Sequence, residues 1–228
     1  MSRGRRFQVG RSYHITHRCH HRNFYLKFDT DRDKYIRLLW EGSRKFNVDI
    51  YNFIVTGNHV HLLLSSDVEN GISDFMCHMS GNMARYYNRR KNLTGSFWEG
   101  RYRATLIQDG NHLSRCMFYI DMNMVRAGVV KHPRQWKWSG HHELTGVRKR
   151  YRVLNIDKLL TKLANSDYYS FLKWYSATLN ELLLNKKQQH EAFWSESRCV
   201  GDESFVNSLA DKKERKKIKE TDNGFFYF

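Results

Sequence analysis

Two pairs of residues in this chain have types and spacings suited to chemistry at a phosphodiester. The first pair is His59 and His61, in the segment Gly57-Asn58-His59-Val60-His61-Leu62-Leu63-Leu64. Alternate side chains of a β-strand share a face, so both imidazoles point one way while Val60, Leu62 and Leu64 point into a core. Two convergent imidazoles on a rigid strand are half of a divalent-metal site. Taken alone, a His-x-His pair is more often solvated or hydrogen-bonded. The second pair is Tyr119 and Asn123, at i and i+4 of a helix, where a phenol and a carboxamide project side by side. Leu113, Met117, Ile120 and Met124 form that helix's apolar stripe, and Arg115 and Arg126 flank its polar face. Alone, Tyr119 would be a boundary residue with exposed polar neighbours. Together with His59 and His61 it becomes a candidate nucleophile.

Breaking a phosphodiester requires a nucleophile and neutralisation of the non-bridging oxygens. Two neutral imidazoles and an amide oxygen leave a divalent cation its full charge and open positions, so it can act there as a Lewis acid. A tyrosine with a reference pKa of about 10 is protonated at neutral pH. A nearby cation and Arg115 or Arg126 favour its phenolate. No separate base is evident. Attack by Tyr119 leaves a covalent phosphotyrosine that conserves the bond energy for rejoining, whereas a plain nuclease uses water and loses it.

The elements that must position these groups follow from pattern. Residues 12–16 read as a strand. Residues 29–46 read as a helix, with Asp29, Thr30 and Asp31 as candidate caps and Ile36, Leu39 and Trp40 on one face. Residues 48–55 are a second strand, 56–58 a turn, and 59–64 a third strand running back beside the second. After Asn70-Gly71, Ile72, Phe75, Met76, Met79, Met83 and Tyr86 or Tyr87 recur as a buried helix face. Residues 91–95 are a loop, 96–108 a fourth strand rich in aromatics, 109–111 a turn, and about 112–125 a helix. The order β-α-β-β-α-β-α predicts an α+β fold, a ferredoxin-like plait whose antiparallel sheet carries helices on one face. This catalytic domain spans residues 8–130. Residues 131–228 form a basic, aromatic linker and a mainly helical C-terminal extension, with Leu159, Leu160, Leu163, Leu179, Leu182 and Leu183 marking helices within 154–186. Residues 212–219 are a charged helix or tail, read as solvated.

Composition narrows the partner. The chain has 228 residues, with 39 Lys and Arg against 23 Asp and Glu, a net charge of +16. Such a balance favours a polyanion, nucleic acid or an anionic membrane surface, although charge serving only solubility is the plainer reading. Residues 81–140 hold eleven Lys or Arg against three Asp or Glu, interleaved with aromatics, a pattern suited to single-stranded or distorted nucleic acid. Arg89, Arg90, Lys91, Arg101 and Arg103 are the expected phosphate contacts, and Trp98 or Tyr102 the base-stacking ring. The competing reading of each is an ordinary exposed charge or a core ring. Trp136 and Trp138 instead pack the extension onto the plait. The four cysteines are widely spaced and read as free thiols in a reducing compartment, and Cys19-His20-His21 as a polar turn rather than a metal site. No apolar stretch approaches the roughly 20 residues that span a bilayer. The basic start Met1-Ser2-Arg3-Gly4-Arg5-Arg6 lacks the apolar run of a secretory signal. The expected location is cytoplasmic, with no membrane partner.

His59-Val60-His61 resembles an HUH motif. With Tyr119-Ile-Asp-Met-Asn-Met-Val-Arg-Ala-Gly-Val-Val130 it is similar to the single-tyrosine HUH transposases, in particular the REP-associated tyrosine transposases of bacteria. Gly95-Ser-Phe-Trp-Glu-Gly-Arg-Tyr102 and His132-Pro-Arg-Gln-Trp-Lys-Trp-Ser139 also fit that family's pattern, and the likeness covers about residues 8–145. The resemblance implies a nucleoid-associated enzyme that cuts single-stranded DNA near a hairpin repeat. It implies His59 and His61 as ligands of Mg²⁺ or Mn²⁺, Asn123 as the third ligand and Tyr119 as the residue joined to the 5′ end. Arg115 and Arg126, which flank Tyr119 and Asn123 by helical phase, are expected DNA phosphate contacts. Relatives act as monomers or as dimers. Two positions depart from the pattern: Gly57 and Met124 stand where the family usually has Pro. Losing Pro loosens the turn before His59, and lets the helix continue past Asn123.

Two other readings compete. A protein of the same descent could bind hairpins without cutting them, but the intact His59, His61, Tyr119 and Asn123 favour cutting. An RNA-directed protein would have the 2′-OH as an internal nucleophile, which makes a tyrosine–metal pair superfluous.

Overall fold

A computed structural model describes residues 6–165, 167–184, 191–221 and 224–228. The basic residues 1–5, and residues 166, 185 and 186 of the expected helical stretch, lie outside the described residues. In chain order the elements are β1 (Ser12–Arg18), α1 (Asp29–Lys45), β2 (Val48–Val55), β3 (His59–Ser66), α2 (Gly71–Lys91), β4 (Arg103–Ile107), α3 (Asn111–Asp121), α4 (Asn123–Arg126), α5 (His141–Leu144), α6 (Ile156–Lys162), α7 (Tyr168–Leu184), α8 (Phe193–Glu196), β5 (Cys199–Gly201), α9 (Glu203–Leu209), β6 (Lys219–Glu220) and β7 (Phe226–Tyr227).

The first four strands form the expected plait, in the order β2-β3-β1-β4 with all neighbours antiparallel. The C-terminal part adds to the same sheet. β5 runs parallel to β4, and β7 and β6 follow antiparallel, so the sheet has seven strands. These short strands cover the edge that β4 would otherwise expose.

Register decides what each face carries. Arg18 lies opposite His59, Thr16 opposite His61 and His14 opposite Leu63, so these polar groups share one face. Ile15, Val60, Leu62 and Leu64 lie on the other, against the paired helices α1 and α2, where the expected stripe of Ile72, Phe75, Met76, Met79 and Met83 is fully buried. The expectation of helices on one face describes α1 and α2, while α3 crosses the opposite face. A bulge in β2 accounts for its attachment. Ile50 pairs with Leu64 and Asn52 with Leu63, leaving Tyr51 as the extra residue. The shift delivers Asn52 to the histidine face. There its Nδ2 donates to the Met117 carbonyl and to Asp121 Oδ1, both at 3.0 Å, and its Oδ1 accepts from Phe53 N at 2.8 Å. A buried amide with these bonds satisfied pins α3 across the sheet.

Several boundaries differ from the sequence reading. The strand expected over 96–108 shrinks to β4. Gly95 and Gly100 have φ of +101° and +131°, a region glycine enters readily. Between them Phe97 and Trp98 turn into the core beside Tyr35 and Tyr87. α1 starts after Phe28 without a side-chain cap bond. Asp29 and Asp31 lie inside its first turn, where carboxylates meet the positive end of the helix dipole. The helix expected over 112–125 is divided at Met122 into α3 and α4, so Met124 does not make it continuous. Within 212–219 only Arg215–Lys217 forms a 3₁₀ turn, and β6 begins at Lys219. Trp136 Nε1 donates to the Val55 carbonyl at 3.0 Å and Trp138 Nε1 to Asp33 Oδ1 at 2.8 Å, with the Arg32 guanidinium over both rings. That docks the linker onto the plait as expected. The four cysteines are unpaired. Among the described residues no helix is long and apolar enough to cross a membrane.

Candidate active site

A cleft of about 630 Å³ opens where β1 and β3 meet the end of α3. Three elements supply its floor: β3 gives His59 and His61, α3 gives Tyr119, and α4 gives Asn123. The break at Met122 changes the relation assumed from a continuous helix, yet Asn123 still arrives beside His61, with Nδ2 3.3 Å from His61 Nε2.

The two imidazoles are held differently. His59 is half-buried at the mouth. Its Nδ1 donates to Asn58 Oδ1 at 2.7 Å and lies 3.0 Å from Thr56 Oγ1. Asn58 Nδ2 donates in turn to the Arg22 carbonyl at 3.1 Å, which sets the amide's orientation. His61 is enclosed, and its Nδ1 lies 2.8 Å from Nε2 of His14. The His59 and His61 ring centres are 5.0 Å apart and their planes nearly perpendicular, at 78°. Burial is the main reason His61 is held well below the usual histidine range, with His59, His14 and Arg126 adding to it. Burial likewise lowers His14 to about 4. Both rings are therefore neutral at pH 7, the form that can offer a lone pair.

Tyr119 lies 6.0 Å, ring to ring, from His61 and 6.1 Å from His14. Its phenol is enclosed, and burial raises its pKa against the opposing pulls of Arg126 and Ser195. The expected net push toward phenolate is absent in this state, because desolvation outweighs the guanidinium. Arg126 nonetheless sits 4.0 Å above the Tyr119 ring, and its Nη1 donates to the Tyr119 carbonyl at 2.8 Å. Arg115 is elsewhere: it is exposed, over the Phe225 ring at 4.5 Å, and does not line the cleft.

The remaining basic and aromatic candidates divide by place. Arg101 and Arg103 line the cleft, and Arg103 is 3.3 Å from Glu196. Tyr102 is half-buried near Phe7 and His17. Trp98 is a core ring, 7 % exposed, stacked on His17 at 3.9 Å and donating from Nε1 to the Ser80 carbonyl. It is not open to a base. Arg89, Arg90 and Lys91 close α2, outside the cleft. Arg90 is bonded to the buried Asp31, and Lys91 lies over the Phe28 ring at 4.7 Å.

Sequence reasoning missed His14, the Trp194 carbonyl and Ser195. A signal for His14 was present, because it alternates with Thr16 along a strand that pairs with His61. Nothing local could bring residues 194–195 to a site whose floor, His59, His61, Tyr119 and Asn123, lies more than seventy positions earlier. Among the described residues no group of three or more His, Cys, Asp or Glu side chains is placed to hold a metal. The third donor at this cleft is an amide.

Residues 8–123 match the family described as transposase, IS200-like, and this chain belongs to that family. No curated protein sequence matches it. Among solved structures it is similar to a REP-associated tyrosine transposase bound to a REP hairpin, at 20 % identity and a TM-score of 0.53, over 65 % of this chain and 89 % of that one. That likeness extends to the fold. It also matches a provisionally assigned transposase from Deinococcus radiodurans R1 at 19 % identity and a TM-score of 0.38, over 57 % of this chain and 98 % of that one.

Proposed function

We propose that the protein is a metal-dependent, site-specific single-stranded DNA endonuclease and strand transferase of the REP-associated kind, acting at hairpin repeats. The observation that carries this reading is the gathering of His59, His61, Asn123 and Tyr119 in one cleft of a family member. All four come from one chain, so a monomer would carry a complete site, and a homodimer is not required.

His59 and His61 would hold Mg²⁺ or Mn²⁺ through Nε2. Each ring's Nδ1 is engaged by a neighbour, which leaves Nε2 as the ligating nitrogen. Asn123 would supply its amide oxygen, the other end of the carboxamide that now meets His61. Two imidazoles and an amide oxygen suit an ion that accepts mixed donors, Mn²⁺ more readily than Mg²⁺. When bound, the ion supplies Lewis acidity at a non-bridging phosphate oxygen. Arg101 and Arg126 neutralise the phosphate from the cleft wall. Tyr119 Oη comes clear of Ser195 as the strand enters and attacks phosphorus. The Oη–P bond forms and the P–O3′ bond breaks. The phenolic proton passes to solvent, the 3′ oxygen takes one up, and the 5′ phosphate stays on Tyr119. Attack by a 3′-OH reverses these steps and rejoins the strand.

The enclosed phenol favours one second reading, a protein of the same family that binds hairpins without cutting. The test is a denaturing gel of protein mixed with labelled single-stranded DNA from the gene's flanking repeats and Mn²⁺. A metal-dependent adduct absent in Tyr119→Phe is the expected result. Retention on the hairpin with no adduct under any metal selects the second reading.

A further inference from the structure

We propose that His14 is a positioning residue which, with the main-chain carbonyl of Trp194, fixes the tautomer of His61 so that Nε2 faces the cleft without a proton. The inference rests on the metal-site reading above and names what prepares one of its ligands.

A chain of donors and acceptors runs from the Trp194 carbonyl through His14 to His61. A carbonyl oxygen only accepts, so the 2.7 Å contact between Trp194 O and His14 Nδ1 requires a proton on that nitrogen. In a neutral ring the other nitrogen, Nε2, then carries the lone pair. It lies 2.8 Å from His61 Nδ1, which must therefore be the donor. His61 Nε2 is left unprotonated, facing Asn123 Nδ2 at 3.3 Å on the cleft side. Neither ring has a carboxylate hydrogen-bond partner among the described residues, and both are enclosed, so the neutral forms prevail. The rings lie nearly parallel, 14° apart with centres at 5.0 Å, on neighbouring strands.

The carbonyl at the head of the chain is itself fixed. Trp194 is buried, and its Nε1 donates to Glu191 Oε2 at 2.7 Å. Just beyond it, Thr105 of β4 donates to the Ser197 carbonyl at 2.7 Å, and Leu106 N to the Arg198 carbonyl at 2.9 Å. The C-terminal extension thereby reaches the metal-facing nitrogen through one imidazole. Partners of this kind, holding a ligating histidine by its other nitrogen, set ring orientation and ligand basicity, and losing one typically weakens metal binding about 10–100-fold.

His14→Gln keeps the relay in amide form: the NH₂ donates to the Trp194 carbonyl and the oxygen accepts from His61 Nδ1. His14→Leu removes it. The test joins ¹⁵N NMR of the imidazoles in metal-free protein with Mn²⁺ titration of the wild type, both variants and His61→Ala. The expected result is Nδ1–H with bare Nε2 at His61 in the wild type and His14→Gln, but mixed tautomers and about 10–100-fold weaker Mn²⁺ binding in His14→Leu. A proton on His61 Nε2 in the wild type overturns the proposal. So does a His14→Leu protein with wild-type tautomer and wild-type Mn²⁺ affinity. If the tautomers follow the relay but the wild type binds Mn²⁺ no better than His61→Ala, the metal-site reading falls instead, and the proposed role with it. A loss of stability in His14→Leu does not mimic the result, because His14→Gln and the tautomer signal are read separately.

Discussion

Two buried polar clusters touch α3 two residues apart, and they differ in what they leave undone. At Asp121 every strong partner is matched. Asn52 donates to Oδ1 at 3.0 Å, the Tyr175 hydroxyl donates to Oδ2 at 2.7 Å, and that hydroxyl accepts from His141 Nδ1 at 2.7 Å. At Tyr119 the same residue types, tyrosine and histidine, meet a cleft, and among the described residues the partner of His61 Nε2 is an amide nitrogen at 3.3 Å. The sealed cluster holds the extension to the plait; the open one lines a cleft, and under the proposed function its His61 Nε2 would exchange the amide contact for a metal ion. Residue type alone does not separate structure from chemistry here. Access does, together with an acceptor whose partner is one long amide contact at the mouth of a cleft.

The comparison breaks most sharply at the tyrosines. Tyr119→Phe is expected to abolish the DNA adduct while hairpin retention on a native gel stays within about twofold, since only the Oη is lost. A smaller effect comes from pH. Burial depresses His14 and His17 to about 4 and His141 to about 3, against an unfolded value of about 6.5. The unfolded chain therefore binds more protons in that window, and stability is lost as pH falls from about 6.5 toward 4. Asp121 is raised to about 7 by burial and acts in the opposite sense, losing stability as pH rises, but one carboxylate does not offset three histidines. Urea midpoints at pH 7 and pH 5 should show the lower value at pH 5; a higher one would mean that Asp121 outweighs the histidines. Next, Tyr175→Phe leaves Asp121 Oδ2 and His141 Nδ1 without their partner and should cost about 1–3 kcal/mol in urea unfolding. Adduct formation per folded molecule should be unchanged. If cutting fails in the folded variant, the two clusters are not separate in function. The smallest effect is at the cleft's outer turn. A Cβ on Gly57 would meet the Phe24 ring at 2.8 Å, but that ring is 66 % exposed and can swing aside. Gly57→Ala should therefore shift stability by no more than about 0.5 kcal/mol.

These clusters also show what the sequence could carry. The plait, the buried methionine stripe of α2 and the shared face of His59 and His61 were legible, because side-chain period follows directly from strand and helix geometry. The fourth strand was overextended because aromatics look extended in sequence, and only the positive φ at Gly95 and Gly100 turns Phe97 and Trp98 inward. Trp98 as a stacking platform and Arg115 as a neighbour of Tyr119 were reasonable from composition and helical phase. Their actual surroundings, His17 for one and Phe225 for the other, are long-range contacts that no local pattern encodes. The same holds for the three strands β5, β7 and β6, which are two or three residues long and take their conformation from the edge of β4.

The most direct measurement is mass spectrometry of the tryptic peptide covering residues 116–126 after reaction with hairpin-flanked single-stranded DNA and Mn²⁺, followed by nuclease trimming. The account predicts a nucleotide remnant on Tyr119, attached through its 5′ phosphate and absent without metal. DNA cut by this protein with the peptide unmodified, or with the remnant on another residue, would contradict it.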